Sequence, residues 1–325
     1  MTQSENGSRL EQIKAALDFY GAIYGLAGEW FLNVGEKIIL KRRDGLRICR
    51  FCGLGDQDVE FRKEAHALPE AMGNKSLFSE YECDRCNEIF GSTIEDDFGN
   101  WSKPMRTLMR ISGKKGVPSL RKGPNGGWRI DYKNSQLQVT AYESEPIFEV
   151  DEKNRRINFT LRRDAYTPIA VLKTFYKIAL TVMPEDDVEN YVDALAWLRQ
   201  PHVSSSFSAI PVLRSFVPGP IPNDKIAIQL LRRKRDDIDV PYMFMVLMYG
   251  NEVYQVFLGS RTRDAHLNGK KGTFPFYPTP YDLVGNGPYG PIQRGPLHLS
   301  RAEVVRGDTC KMAMSFDQII DNSKE

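Results

Sequence analysis

Two C-x-x-C pairs, Cys49/Cys52 and Cys83/Cys86, account for four of the chain's five cysteines. Each pair can turn both sulfurs to one side of a tight knuckle, and two knuckles supply the four thiolates of a tetrahedral structural Zn²⁺. The stretch they organise is polar, so a metal would fix its shape where buried apolar surface cannot. A redox dithiol and chance pairing are the alternatives. Between the pairs stand His66, in EAHALP, and Asn74, in GNKSL; Asn87 directly follows the last cysteine in CDRCNEIFG. A histidine is the side chain that exchanges a proton near neutral pH.

The order His, Asn, Asn, the proline after the histidine and the C-x-x-C-N junction resemble the HNH endonucleases, also called His-Me finger or ββα-metal nucleases. They look closest to the branch whose two zinc knuckles hold a hairpin and a helix together. The resemblance covers Cys49 to Trp101, about a sixth of the chain. It implies a zinc-stabilised ββα-metal, treble-clef-like module with a catalytic ion between hairpin and helix. It also implies hydrolysis of phosphodiester bonds in DNA. His66 would be the general base on water, Asn74 the group that orients its ring, and Asn87 the amide oxygen offered to Mg²⁺ or Mn²⁺.

Many members of that family carry an acidic or histidine ligand immediately before the catalytic histidine, and here that position is Ala65. Glu64 is the expected substitute, because period-2 alternation puts it on the same strand face as His66. Glu95 is a weaker candidate, since eight residues at 3.6 per turn leave it well off the face of Asn87. Plainer readings stand beside each role. Glu64 would be a solvated strand residue, Asn87 a helix cap, and His66 a core or zinc-site histidine.

The elements that must position these groups are read from pattern. Residues 8–31 space Leu10, Ile13, Leu17 and Tyr20 as a helix, and EKIILKRRDG reads as a strand with a turn at Asp44-Gly45. A short strand carries His66 at its end, and a helix begins at Asn87. The run of Gly, Pro and Lys after residue 112 reads as a linker. The expected class is therefore α+β with two parts: residues 1–112 as the zinc-bound nuclease domain and 134–325 as a larger mixed α/β domain, joined by a basic linker over 113–133. In the second part, a helix over AYTPIAVLKTFYKIALTVM and strands over SFSAIPVLRSFV, KIAIQLLRR and YMFMVLMYGNEVYQVFLGS are expected, the last with a Gly250-Asn251 hairpin. Residues 268–298 read as an irregular loop, and a strand with a short helix closes the chain.

A net charge of +2 over 325 residues does not by itself call for nucleic acid. Its distribution is more informative, because acidic residues dominate from Gly53 to Asn100 and basic ones from Ser102 to Lys133. Lys103, Arg106, Arg110, Lys114 and Lys115 are the candidate backbone contacts, and Lys41, Arg42, Arg43, Arg47 and Arg50 form a second cluster. DNA is the expected partner. A non-catalytic zinc-stabilised binding module and an RNA endonuclease are the other readings, and a place in restriction or phage defence, beside other defence proteins, is analogy alone. The absence of a signal-like or membrane-length apolar run and the low cysteine count suit a soluble cytoplasmic protein. His202, His266 and His298 lack supporting ligands, and Cys310 reads as a buried thiol.

Overall fold

The computed structural model describes residues 3–122, 128–140, 147–200, 210–270, 272–284 and 289–318. In chain order, α1 (Gln3–Ile23) runs straight into β1 (Tyr24–Leu32), followed by the short strands β2 (Ile38–Leu40), β3 (Ala65–His66) and β4 (Leu77–Ser79). Two helices come next, α2 (Asp84–Ser92) and α3 (Ile94–Leu108). Five strands follow: β5 (Leu120–Arg121), β6 (Arg129–Lys133), β7 (Gln136–Thr140), β8 (Phe148–Asp151) and β9 (Arg156–Arg162). Helices α4 (Pro168–Val182), α5 (Glu185–Val188) and α6 (Val192–Arg199) precede β10 (Val212–Phe216), β11 (Ile226–Arg233), β12 (Met243–Tyr249) and β13 (Glu252–Leu258). The last elements are α7 (Pro280–Val284), β14 (Gln293–Leu297) and β15 (Thr309–Ser315). The class is α+β, as the pattern implies.

The strands form a six-stranded sheet in the order β1-β11-β12-β13-β10-β14 and three small sheets, β2-β4-β3, β5-β6-β7 and β15-β9-β8. Helix α4 lies between the zinc-ligand region and the large sheet. Every one of its residues is buried, as its nearly uniform apolar character demands. Phe175 packs edge-on against Phe98 of α3 at 5.8 Å and lies tilted against Tyr254 of β13 at 4.9 Å. Thr174 Oγ1 donates to the Ile94 carbonyl at 2.8 Å, and Tyr176 Oη donates to the Phe257 carbonyl at 3.1 Å. One hydrophobic core therefore runs from Cys49, Phe90 and Phe98 through Phe175 to Tyr254 and Cys310.

Several expectations are corrected. The helix over 8–31 ends at Ile23, and 24–32 is a strand whose register pairs Tyr24 with Arg233 and Leu32 with Ile226. Gly28 lets the Trp30 ring fold across the strand, where a Cβ would lie 2.5 Å from it. The chain's start thus belongs to the sheet built from residues 212–297, and the core shows no break at the expected boundary. The described parts of 113–133 are more than an open linker: they contribute β5 and β6, with Leu120 and Ile130 buried beside Leu108, Phe159 and Leu161. Asn134 and Ser135, both at positive φ (50° and 62°), make the tight β6–β7 turn. Within 268–298, β14 pairs with β10. His202, the start of the strand read over 206–217 and most of the closing helix lie outside the described residues.

The Gly250-Asn251 turn does form, joining Tyr249 to Glu252. Gly250 has φ +52°, and a Cβ there would meet Ile111 Cδ1 at 3.0 Å and Met109 Sδ at 3.4 Å. Gly250→Ala should therefore lower stability by about 1–2 kcal/mol, read as a shift in the urea midpoint at unchanged slope.

Candidate functional site

The first knuckle is a turn in which Gly53, at φ +76°, donates its amide to the Cys49 carbonyl at 2.8 Å. The Cys49 amide in turn donates to Leu54 O at 2.8 Å. The second knuckle is the start of α2: Cys83 sits at its N-cap and Cys86 in its first turn. The four Sγ atoms lie within 4.8 Å of one another, with Cys52 and Cys83 at 3.8 Å. A tetrahedral Zn²⁺ with bonds of about 2.3 Å sets its sulfurs about 3.8 Å apart, so the donor set fits zinc. Electrostatics point the same way. Hydrogen bonding from Cys86, with help from nearby amides, holds the Cys49 thiol down at about 5. That same thiolate pushes Cys86 well above its ordinary value, and burial raises Cys83 to about 11. One thiolate suppresses its neighbours until a cation compensates them.

Helix α2 begins at Asp84, three residues earlier than expected, and gives way to α3 at Thr93. The early start matters for His66. Asp84 accepts the amides of Arg62 at 3.2 Å and Lys63 at 2.9 Å, and its own amide donates to Glu60 O at 2.8 Å. The segment leading into β3 is therefore strapped to the second knuckle. His66 pairs with Phe78 across β3–β4, ring centroids 4.7 Å apart. Its side chain is 25% exposed, and Nε2 lies 3.8 Å from the Glu70 carboxylate. Burial is the main influence on the imidazole and lowers its pKa; Glu70 opposes this and Lys177 adds to it. Burial thus favours the neutral ring.

Asn74 does not orient that ring. Its Nδ2 donates to Leu68 O at 3.0 Å and Leu77 O at 2.9 Å, while Oδ1 accepts the amides of Ser76 and Leu77 at 3.2 and 2.9 Å. An amide has two donors and two lone pairs, so Asn74 is saturated in shaping the loop behind His66. Asn87 is half-buried on α2, and its carboxamide makes no hydrogen bond to a described residue. Glu64 lies just before the two-residue strand, 62% exposed and paired with Lys37. Glu95 is not a free ligand, because Lys177 holds it at 2.9 Å. Among the described residues the four cysteines are the one cluster of three or more His, Cys, Asp or Glu ligands. Beside His66 the open carboxylate is Glu70, with Glu64 at the rim. Mg²⁺ keeps several waters and needs few protein oxygens besides substrate phosphate, which this sparse set fits.

The basic candidates divide. Arg106 is buried, bonding Ser102 Oγ at 3.0 Å and Gly99 O at 2.9 Å within α3, and Lys103 is paired with Asp164 at 2.7 Å. Neither is open to a backbone. Arg110, Lys114 and Lys115 are exposed and form no ion pair with a described residue. Their loop backs onto the turn that carries Glu70, since a Cβ on Gly113 would lie 3.3 Å from Glu70 O. Of the earlier cluster, Arg50 turns inward. It donates to the Leu180, Thr181 and Met183 carbonyls at 2.6–2.9 Å, capping α4, and stacks 3.7 Å over Tyr81.

Residues 49–102 match the family model described as HNH endonuclease. The HNH match spans about a sixth of the chain. No curated protein and no solved structure matches the chain. A nuclease segment implies a nucleic-acid substrate. Among the described residues no helix is long and apolar enough to cross a membrane.

A group from outside the HNH segment, which pattern reading misses, reaches into it. Lys177 of α4 is 1% exposed; its Nζ lies 2.9 Å from Glu82 Oε2, 2.9 Å from Glu95 Oε1, and donates to the His66 carbonyl at 3.2 Å. Burial alone would push this ammonium toward neutrality, but the two carboxylates reverse that and hold it charged. Glu82, fully buried, is raised by burial to about 7 despite Lys177. The available signal was two lysines, Lys173 and Lys177, in an otherwise uncharged helix.

Two outcomes follow. Purified protein should carry one Zn²⁺ per chain by elemental analysis, and Cys83→Ser or strong chelation should abolish cooperative folding of the HNH segment. Lys177→Met should destabilise by about 3–5 kcal/mol, because it strands buried carboxylate charge, whereas Lys177→Met with Glu82→Gln should recover most of the loss in a denaturant titration.

Proposed function

We propose that the protein is a metal-dependent endonuclease that hydrolyses phosphodiester bonds in DNA. The observation that carries this reading is a half-buried His66, its neutral form favoured by burial, beside Glu70, on a strand strapped to a four-cysteine cluster in the HNH segment. His66 takes the proton of the attacking water. Asn74 acts at one remove, by holding the loop between His66 and β4. Asn87, with Glu70 or Glu64, would hold Mg²⁺ or Mn²⁺, which when bound would stabilise the leaving oxygen's charge. Arg110, Lys114 and Lys115 approach the substrate backbone from the Glu70 side.

Plasmid nicking with Mg²⁺ or Mn²⁺ tests the reading. His66→Ala should lose about 10²–10⁴-fold in rate with zinc content unchanged. Equal activity in both proteins, or DNA binding without cleavage under any metal, would favour a non-catalytic zinc module, and faster cleavage of RNA would move the substrate class. Because the base must be unprotonated, log(kcat/KM) should rise with pH and level off below the ordinary histidine value of about 6.5. A break above that value contradicts the assignment. Lys114→Ala with Lys115→Ala should raise KM, leave kcat near wild type and reduce the salt dependence of binding by about two phosphate contacts' worth.

A further inference from the structure

The three acceptors around Lys177 come from three separate segments: the His66 carbonyl from β3, Glu82 from the residue before the second knuckle, and Glu95 from the first turn of α3. None belongs to α4, which supplies only the ammonium. A buried ion group of this kind adds little net stability, since an apolar set of similar volume would hold the helix as well. Its distinctive property is directional: a fixed charge orients the peptide plane that it binds. That matters most where other restraints are few, and β3 has only two residues. The ring itself meets Phe78 and, at 3.8 Å, Glu70. Neither Glu82 oxygen has an aligned hydrogen bond, although Oε2 faces Lys177. Lys177 is thus aligned on the carbonyl of His66 while two carboxylates hold it in place.

We propose that Lys177 is a positioning residue for His66, through which α4, and the large sheet packed on it, set the alignment of the base. The proposal rests on the nuclease reading for its rate effects but not for its geometry. An error of about 1 Å in a reacting group can cost about 10²-fold in rate, so releasing the carbonyl should act on kcat.

The test uses the full chain with Lys177→Met plus Glu82→Gln, which removes this group's two most deeply buried charges together and avoids the folding failure expected of Lys177→Met alone. Zinc content, kcat, KM and the imidazole Cε1–H NMR signal of His66, assigned by its loss in His66→Ala, are measured. The double variant should keep its zinc and a KM within about threefold of wild type, lose about 10–100-fold in kcat, and show a displaced or broadened His66 signal with the other histidine signals unmoved. A wild-type kcat with an unmoved His66 signal would overturn the proposal. So would loss of zinc from the double variant, which would make the role purely structural. If the wild-type protein cleaves nothing, the nuclease reading fails alone, and the NMR signal still decides the positioning role in either direction.

Discussion

A single ammonium in the interior constrains the molecule most. Placing Lys177 out of reach of water costs several kcal/mol unless opposite charge and hydrogen bonds are brought to it, and Glu82, Glu95 and the His66 carbonyl are brought. That requirement draws three segments of the HNH region onto one helix. The far end of α4 is held from the same region, because Arg50 of the first knuckle caps its last carbonyls. Helix α4 is thus pinned at its middle and its end, while Phe175 and Tyr176 face the sheet side.

The cysteine cluster does a different job. It creates local order in a polar stretch too poor in apolar surface to hold itself, and it passes that order on through Asp84 to the residues just before His66. Asn74 completes the loop on the other side. The cysteine cluster and Asn74 fix where the strand runs; the buried lysine bears on how its peptide faces. The exposed basic turn at Lys114-Lys115 lies beside Glu70 because Gly113 leaves room for it. Cysteine cluster, loop and charge therefore converge on one histidine from different parts of the chain.

Local chemistry was legible in the residues themselves. The C-x-x-C spacing sets thiolate geometry within a few bonds, and the helix over 168–182 and the hairpin at Gly250-Asn251 follow from periodicity and turn residues. Other features were not legible. Residues 24–32 are helix-compatible in isolation and become strand because β11 offers a partner about two hundred residues later. The Gly- and Lys-rich run after residue 112 looks like a spacer, yet β6 hides Ile130 in a small core.

The sequence by itself determined the thiolate cluster, the identity of the histidine and the α+β class, because each depends on spacing over a few residues. Only the tertiary structure decided which polar groups are free to act. It committed Asn74 to the loop, Glu95 to Lys177 and Arg106 to its own helix, and it left Glu70 beside the imidazole. The reason is physical: burial forces every polar group to find a partner, and that partner comes from wherever the chain packs.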